Sequence, residues 1–139
     1  MKTTGSCYCN DIEYQTEIEP GMVGICHCRD CQIFGGSAFR TVAAVAPKNF
    51  QFTKGQPAHF EKVSGSGAIR KMAFCANCGT HLCSLPADAY SEGAFVSIRI
   101  ATSKAFTELK PAFEVFCDSR VAWLDALDGT IEFPRMPSG

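Results

Sequence analysis

Three short stretches, Cys7-Tyr8-Cys9, Cys26-His27-Cys28-Arg29-Asp30-Cys31 and Cys75-Ala76-Asn77-Cys78, carry seven of the nine cysteines of this chain, and their spacing decides the fold. A Cys-x-Cys in extended chain places both sulfurs on one side, because side chains alternate along a strand. A Cys-x-x-Cys does the same by curling the backbone, and Gly79, directly after Cys78, supplies the positive φ that such a turn needs. Clustered thiolates at these spacings select zinc or iron–sulfur clusters among the common metals. Bound metal, more than a large aliphatic core, is therefore expected to organise the chain.

Composition points the same way. Of 139 residues 46% are hydrophobic, but 16 are Ala and 9 are Cys, while Val, Ile and Leu together number only 20. A single domain over residues 1–139 can bury about two-thirds of its unfolded surface, so the eleven Phe and the metal must compensate for scarce aliphatics. Basic and acidic side chains nearly balance, 13 against 14, which argues against a nucleic-acid partner. The start of the chain, Met1 to Cys7, has no apolar run of signal-peptide length, and no stretch approaches the roughly 18 apolar residues of a membrane span. The expectation is a cytoplasmic protein with no membrane partner. Thiols stay reduced there, and an odd count of nine suits a closed disulfide framework poorly. The sequence does not fix the oligomeric state and leaves a homo-oligomer open.

Local patterning is mainly β. From Asp11 to Ile18, Ile12, Tyr14, Thr16 and Ile18 alternate with polar neighbours, the period of a half-buried strand. Similar short runs occur at Met22 to Cys26, Ala38 to Ala46, His59 to Val63, Ile69 to Phe74, Ala94 to Ile100, Ala112 to Phe116 and Thr130 to Phe133. Gly- and Pro-containing turns separate them. Two stretches, Pro86 to Ser91 and Thr102 to Leu109, are read as a turn or two of helix.

The cysteines divide in few ways. Cys7, Cys9, Cys75 and Cys78 make a complete tetrahedral set, as in a structural zinc, and tie the N-terminus to the middle of the chain. That leaves Cys26, Cys28 and Cys31, three ligands with one exchangeable position, as in a catalytic zinc. The rival pairs Cys28 and Cys31 with Cys75 and Cys78 as an interrupted zinc ribbon. His27, His81 or Cys83 are the residues able to cap the trio and close it. Cys83 and Cys117 read otherwise as small buried residues, and His59 as structural. His27 should point away from its flanking cysteines, to support them from behind or to face solvent. Trp123 reads as a core aromatic, and Glu114 as a salt-bridged or solvated strand residue, with a general acid/base as the alternative.

These motifs, with Gly5-Ser6, Gly36-Ser37, Arg70-Lys71-Met72-Ala73-Phe74, Gly79-Thr80-His81-Leu82, Pro111 to Arg120 and Trp123, resemble the glutathione-dependent formaldehyde-activating enzyme family over nearly the whole chain. The resemblance implies a mainly β, Mss4-like zinc-binding fold of several small coiled antiparallel sheets. It implies a structural zinc on the first and third cysteine groups and a catalytic zinc on the middle one. It also implies glutathione and a small aldehyde as partners, joined as S-hydroxymethylglutathione by a carbon–sulfur lyase working in the synthetic direction. The chain departs from the family pattern where Asn10 replaces a frequent Gly, where Ile100-Ala101-Thr102-Ser103 replaces Gly-Thr-Leu-Asp, and where Glu114 replaces a frequent His. Arg29, Arg40, Arg70, Lys71, Arg99 and Arg120 are candidates to receive the glutathione carboxylates. A non-catalytic zinc module that binds a protein, or a glutathione carrier, are the alternative functions.

Overall fold

Alternation over residues 11–18 becomes strand β2 (Glu13–Glu17) and its flanks: Ile12, Tyr14, Thr16 and Ile18 are buried, while Asp11, Gln15 and Glu17 face solvent. The structure is a computed structural model and describes residues 1–137. Strands β1 (Lys2–Ser6) and β5 (Phe50–Lys54) flank β2 in a three-stranded antiparallel sheet. Gly5 lies opposite Tyr14, and a Cβ there would run into the phenol ring. That ring is fully buried, stacked on Phe50 at 5.2 Å between centroids, and bonded through its hydroxyl to Thr102 Oγ1 at 2.8 Å.

Eight further strands form a mixed sheet: β3 (Val23–Cys26), β4 (Arg40–Val45), β6 (Ala58–Val63), β7 (Ile69–Phe74), β8 (His81–Pro86), β9 (Val96–Arg99), β10 (Phe113–Val115) and β11 (Ile131–Glu132). Their order is β11-β10-β3-β4-β9-β8-β7-β6, antiparallel throughout except that β10 runs parallel to both β3 and β11. One row of side chains follows the ladders across this sheet. Val23, Ala43, Ile98, Cys83 and Ala73 are each no more than 2% exposed. Three of the five are small, which lets Ile12, Tyr14 and Ile18 of the small sheet share one core with them. Each such large side chain contributes about 1.5–3 kcal/mol by leaving water. The shortage of Val, Ile and Leu is thus met by close approach of the two sheets.

On the opposite face the same ladders set Cys26 beside Arg40, Val42 beside Arg99, and Ser97 beside Ser84. This face carries the polar chemistry of the molecule.

The mainly β expectation holds, and each run named above contains a strand. β1, β5 and β8 add to it. One helix, α1 (Arg29–Gly35), was not anticipated, because seven residues with no apolar stripe leave no helical period to read. Its ends show why it forms. Cys28 caps it through Sγ, which accepts the Cys31 amide at 3.3 Å, and Gly36 closes it at φ 65°. The stretch Pro86 to Ser91 is not helical, whereas Thr102 to Leu109 holds one 3₁₀ turn at Phe106–Glu108 and begins at the end of another, Ile100–Thr102. Trp123 is not a core aromatic: it is 78% exposed, in a loop of the C-terminal segment. Its emission, from the one Trp of the chain, should resemble that of free indole and be fully open to acrylamide. A blue-shifted, protected emission would contradict this placement. No helix among the described residues is long and apolar enough to cross a membrane.

Candidate metal centres

The Cys7-x-Cys9 stretch leaves β1 in a tight loop, and the Cys75-x-x-Cys78 stretch fills the turn between β7 and β8. Asn10 takes φ 65° and Gly79 φ 78°, so the residue that departs from the family pattern still supplies a left-handed turn, which Asn tolerates better than most residues. These turns bring the four sulfurs within 4.8 Å of one another, with Cys7 to Cys9 and Cys9 to Cys75 at 3.7 Å. A tetrahedron with zinc–sulfur bonds of about 2.3 Å has edges of about 3.8 Å, so the donors fit that ion without rearrangement. The Ile12 amide donates to Cys7 Sγ at 3.3 Å and the Cys78 amide to Cys75 Sγ at 3.4 Å, the kind of support that orients metal ligands. Thr80 Oγ1 lies 3.2 Å from Cys78 Sγ, and that contact draws the Cys78 thiol down to about 5.

Cys26 ends β3, Cys28 caps α1 and Cys31 sits in its first turn, and their sulfurs also lie within 4.8 Å of one another. A strand end running straight into a helix cap is what gathers three thiols from six consecutive residues. Contact with the Cys26 and Cys28 thiols draws Cys31 down to about 2, with Arg40 adding to the effect, whereas Cys26 is pushed up by Cys28 and Cys31 and by burial. All nine cysteines are free thiols.

The two groups are separate, so the ribbon pairing of Cys28 and Cys31 with Cys75 and Cys78 is not adopted. Among the described residues no fourth Cys, His, Asp or Glu joins the trio. Each residue able to close it is engaged elsewhere. Cys83 lies in the core, where burial pushes its thiol up to about 12. His81 packs between Phe34 and Phe74, at 5.6 and 5.9 Å between centroids. His27 points to the far side of β3 and is fully buried rather than solvent-facing, with Nε2 2.7 Å from Glu114 Oε1.

Glu114 is correspondingly a buried ion-pair residue and not a solvated one. Besides His27 it accepts from Arg120 Nη2 at 3.2 Å, the Leu127 amide at 2.9 Å and Thr130 Oγ1 at 2.6 Å. Burial alone would raise its carboxyl, but Thr130, His27, Leu127 and Arg120 together outweigh that and hold it at about 2. A cavity of about 420 Å³ lies on this side, between Phe39 and the 124–128 segment.

The candidate cations sort clearly. Arg70 is engaged by the Phe95 and Ser84 carbonyls and stacks on Phe95, Arg120 serves Glu114 and Glu132, and Arg29 is exposed on α1. Lys71 is half-buried, and no hydrogen bond or ion pair engages its side chain among the described residues. Arg40 donates through Nη2 to Cys31 Sγ at 3.2 Å, and Arg99, 7% exposed, lies on the same face of the sheet. Both depress the charged form of His81, after burial itself. This pairing of Arg40 with Arg99 was not legible in sequence, because it depends on the register of β4 against β9. His59, read as structural, is exposed on the edge strand β6.

A mainly β chain holding one group of four thiols and one of three, each able to hold a metal ion, defines a cysteine-rich metal-binding protein. The family model for the glutathione-dependent formaldehyde-activating enzyme matches residues 2–119, and the chain belongs to that family. The fold is shared with a Rhodobacter sphaeroides protein whose crystal structure was solved as a structural-genomics target, at 16% identity and a TM-score of 0.56, covering 94% of this chain and 98% of that one. Among curated proteins none matches the chain.

Proposed function

We propose that this chain is a zinc-dependent carbon–sulfur lyase that joins glutathione to formaldehyde as S-hydroxymethylglutathione, in the cytoplasm. Family membership supports the substrate pair. One observation supports the site assignment: among the described residues Cys26, Cys28 and Cys31 converge without a fourth protein ligand, whereas Cys7, Cys9, Cys75 and Cys78 form a group of four. The closed set is then the structural zinc site and the trio the catalytic one.

A zinc held by Cys26, Cys28 and Cys31 would supply Lewis acidity that favours the ionised form of a nearby thiol at neutral pH. Cys26 at the end of β3 and Cys28 and Cys31 at the start of α1 are the residues that would hold the ion. Amide donation from Cys31 to Cys28 Sγ fixes one of the ligands, and the Arg40 guanidinium fixes another. Three thiolates leave a divalent ion with a net charge of about minus one, which disfavours a further thiolate. Arg40 and Arg99, both facing the trio's sulfurs, would offset that charge and so favour an anionic sulfur beside it. The thiolate adds to the carbonyl carbon, and the thiol proton ends on the new hydroxyl.

Exchange NMR of glutathione and formaldehyde, with and without zinc-loaded protein, tests the reading against the uncatalysed background. Acceleration is expected, with a loss of at least about a hundredfold in Cys28→Ser, the scale on which removing a group that stabilises the transition state acts. No acceleration by wild-type protein carrying two zinc equivalents would reject the reaction. Unchanged turnover in Cys28→Ser would reject the site.

A further inference from the structure

Arg40 and Arg99 are left poorly satisfied by their own chain. Nε and Nη1 of Arg40 and Nε of Arg99 are buried without a hydrogen-bond partner, and neither guanidinium forms an ion pair among the described residues. Arg99 uses only Nη1, which donates to the Ser97 carbonyl at 3.2 Å and to Ser97 Oγ at 2.9 Å, and Arg40 only Nη2, whereas Arg70 donates to carbonyls through both terminal nitrogens. Burying guanidinium N–H groups without acceptors is unfavourable, and no described residue supplies an acceptor for Nε and Nη1 of Arg40 or Nε of Arg99. α1 holds Arg40 in place: its ring Phe34 lies 5.9 Å from the guanidinium, and Gly35 makes room for the arginine stem that a Cβ would strike.

Sulfur alone does not fill the need. A metal-bound thiolate balances charge but offers no planar pair of acceptors for a guanidinium fork, which a carboxylate does. Position narrows the class further. Arg40 touches Cys31 Sγ at 3.2 Å, so an anion on its free edge lies beside the atom under attack. The carboxylates of glutathione are several bonds removed from its sulfur, and formaldehyde has none. The group that fits is a carboxylate on the carbon being joined.

We propose that this site takes a carbonyl co-substrate whose aldehyde carbon bears a carboxylate, a 2-oxo acid of the glyoxylate kind, with Arg40 and Arg99 as its anchor. This rests on the thiol-addition reading and changes its second substrate. In the step the thiol sulfur bonds to the aldehyde carbon and the carbon–oxygen π bond opens. The thiol proton ends on the new hydroxyl, and the carboxylate is untouched. No oxidant or reductant is required.

Cobalt-loaded protein gives a readout independent of turnover, through the thiolate-to-metal charge-transfer band. Mercaptoacetate, which carries its carboxylate where the adduct would, is expected to bind about tenfold to a hundredfold more tightly than 2-mercaptoethanol, the range of charged hydrogen bonds. In Arg40→Gln that ratio should fall toward one. Arg40→Lys keeps the buried charge but not the planar fork, and should lower the ratio as well, should the Gln variant fail to fold. In turnover, glyoxylate should be preferred over glycolaldehyde by a similar factor. Equal binding of the two thiols to wild-type protein overturns the anchor while leaving thiol addition standing. A preference that survives in both Arg40 variants means that the carboxylate chelates the metal itself, and also overturns it. If neither thiol perturbs the band, the open metal position is wrong and both readings fall.

Discussion

Replacing Cys75 with serine is expected to abolish the cooperative unfolding transition, whereas Cys28→Ser should leave it within a few degrees of wild type. The asymmetry follows from chain connectivity. Cys9 and Cys75 are 66 positions apart, and their group clamps the loop between β1 and β2 of the small sheet to the turn between β7 and β8 of the large one. A metal there binds two distant segments of the folded chain and finds no such site in the unfolded one, so its binding free energy adds to stability. Structural zinc in small domains contributes about 10–16 kcal/mol, as much as the whole stability of a typical domain, about 5–15 kcal/mol. The trio spans only residues 26–31, so its metal closes almost no loop. Thermal melts with metal analysis decide the matter. A Cys75→Ser protein melting near wild type would remove the structural role of the closed set. A Cys28→Ser protein that fails to fold would show that the trio is architectural too.

How far the sequence led depends on the range of each interaction. Strand β2 was legible because alternation is a local property, and Ile12, Tyr14, Thr16 and Ile18 are buried as their period implies. The grouping of Cys7 and Cys9 with Cys75 and Cys78 followed from ligand counting, which needs no geometry. α1 escaped because its determinants are a sulfur cap and Gly36, and neither looks like the usual helix signal. Arg40 and Arg99 stood among six equal candidates. Only the β4–β9 ladder, with Val42 opposite Arg99, sets them on one face beside Cys26. Trp123 went the other way: a lone Trp in an aliphatic-poor chain reads as core, yet the small residues of the central row leave it no work there. The partner of Glu114 lies 87 positions away at His27, beyond any pattern rule.

That pair carries the second large effect. Glu114→Ala should destabilise the protein by about 3–5 kcal/mol, the usual consequence of removing one partner from a buried ion pair, here the carboxylate that Arg120 Nη2 meets at 3.2 Å. His27, fully buried, would lose the partner of Nε2 while Nδ1 already has none, and the Leu127 amide would lose its acceptor. The acid limb of stability should change with it. The folded carboxyl is held at about 2 against an ordinary 4.5, a depressed folded pKa. Its contribution is therefore complete above about pH 4.5 and is lost as pH falls from there toward 2. Glu114→Gln, which keeps one acceptor oxygen without the charge, should be milder in stability but should flatten that part of the pH profile. His27 stands between Cys26 and Cys28, so loosening it should weaken zinc at the trio by about tenfold to a hundredfold, as loss of a supporting residue does elsewhere. The closed set, on another part of the sheet, should keep its affinity. Competition with a chromophoric chelator resolves the two sites. Equal weakening of both would mean general destabilisation, and no weakening of either would detach the His27–Glu114 pair from the metal.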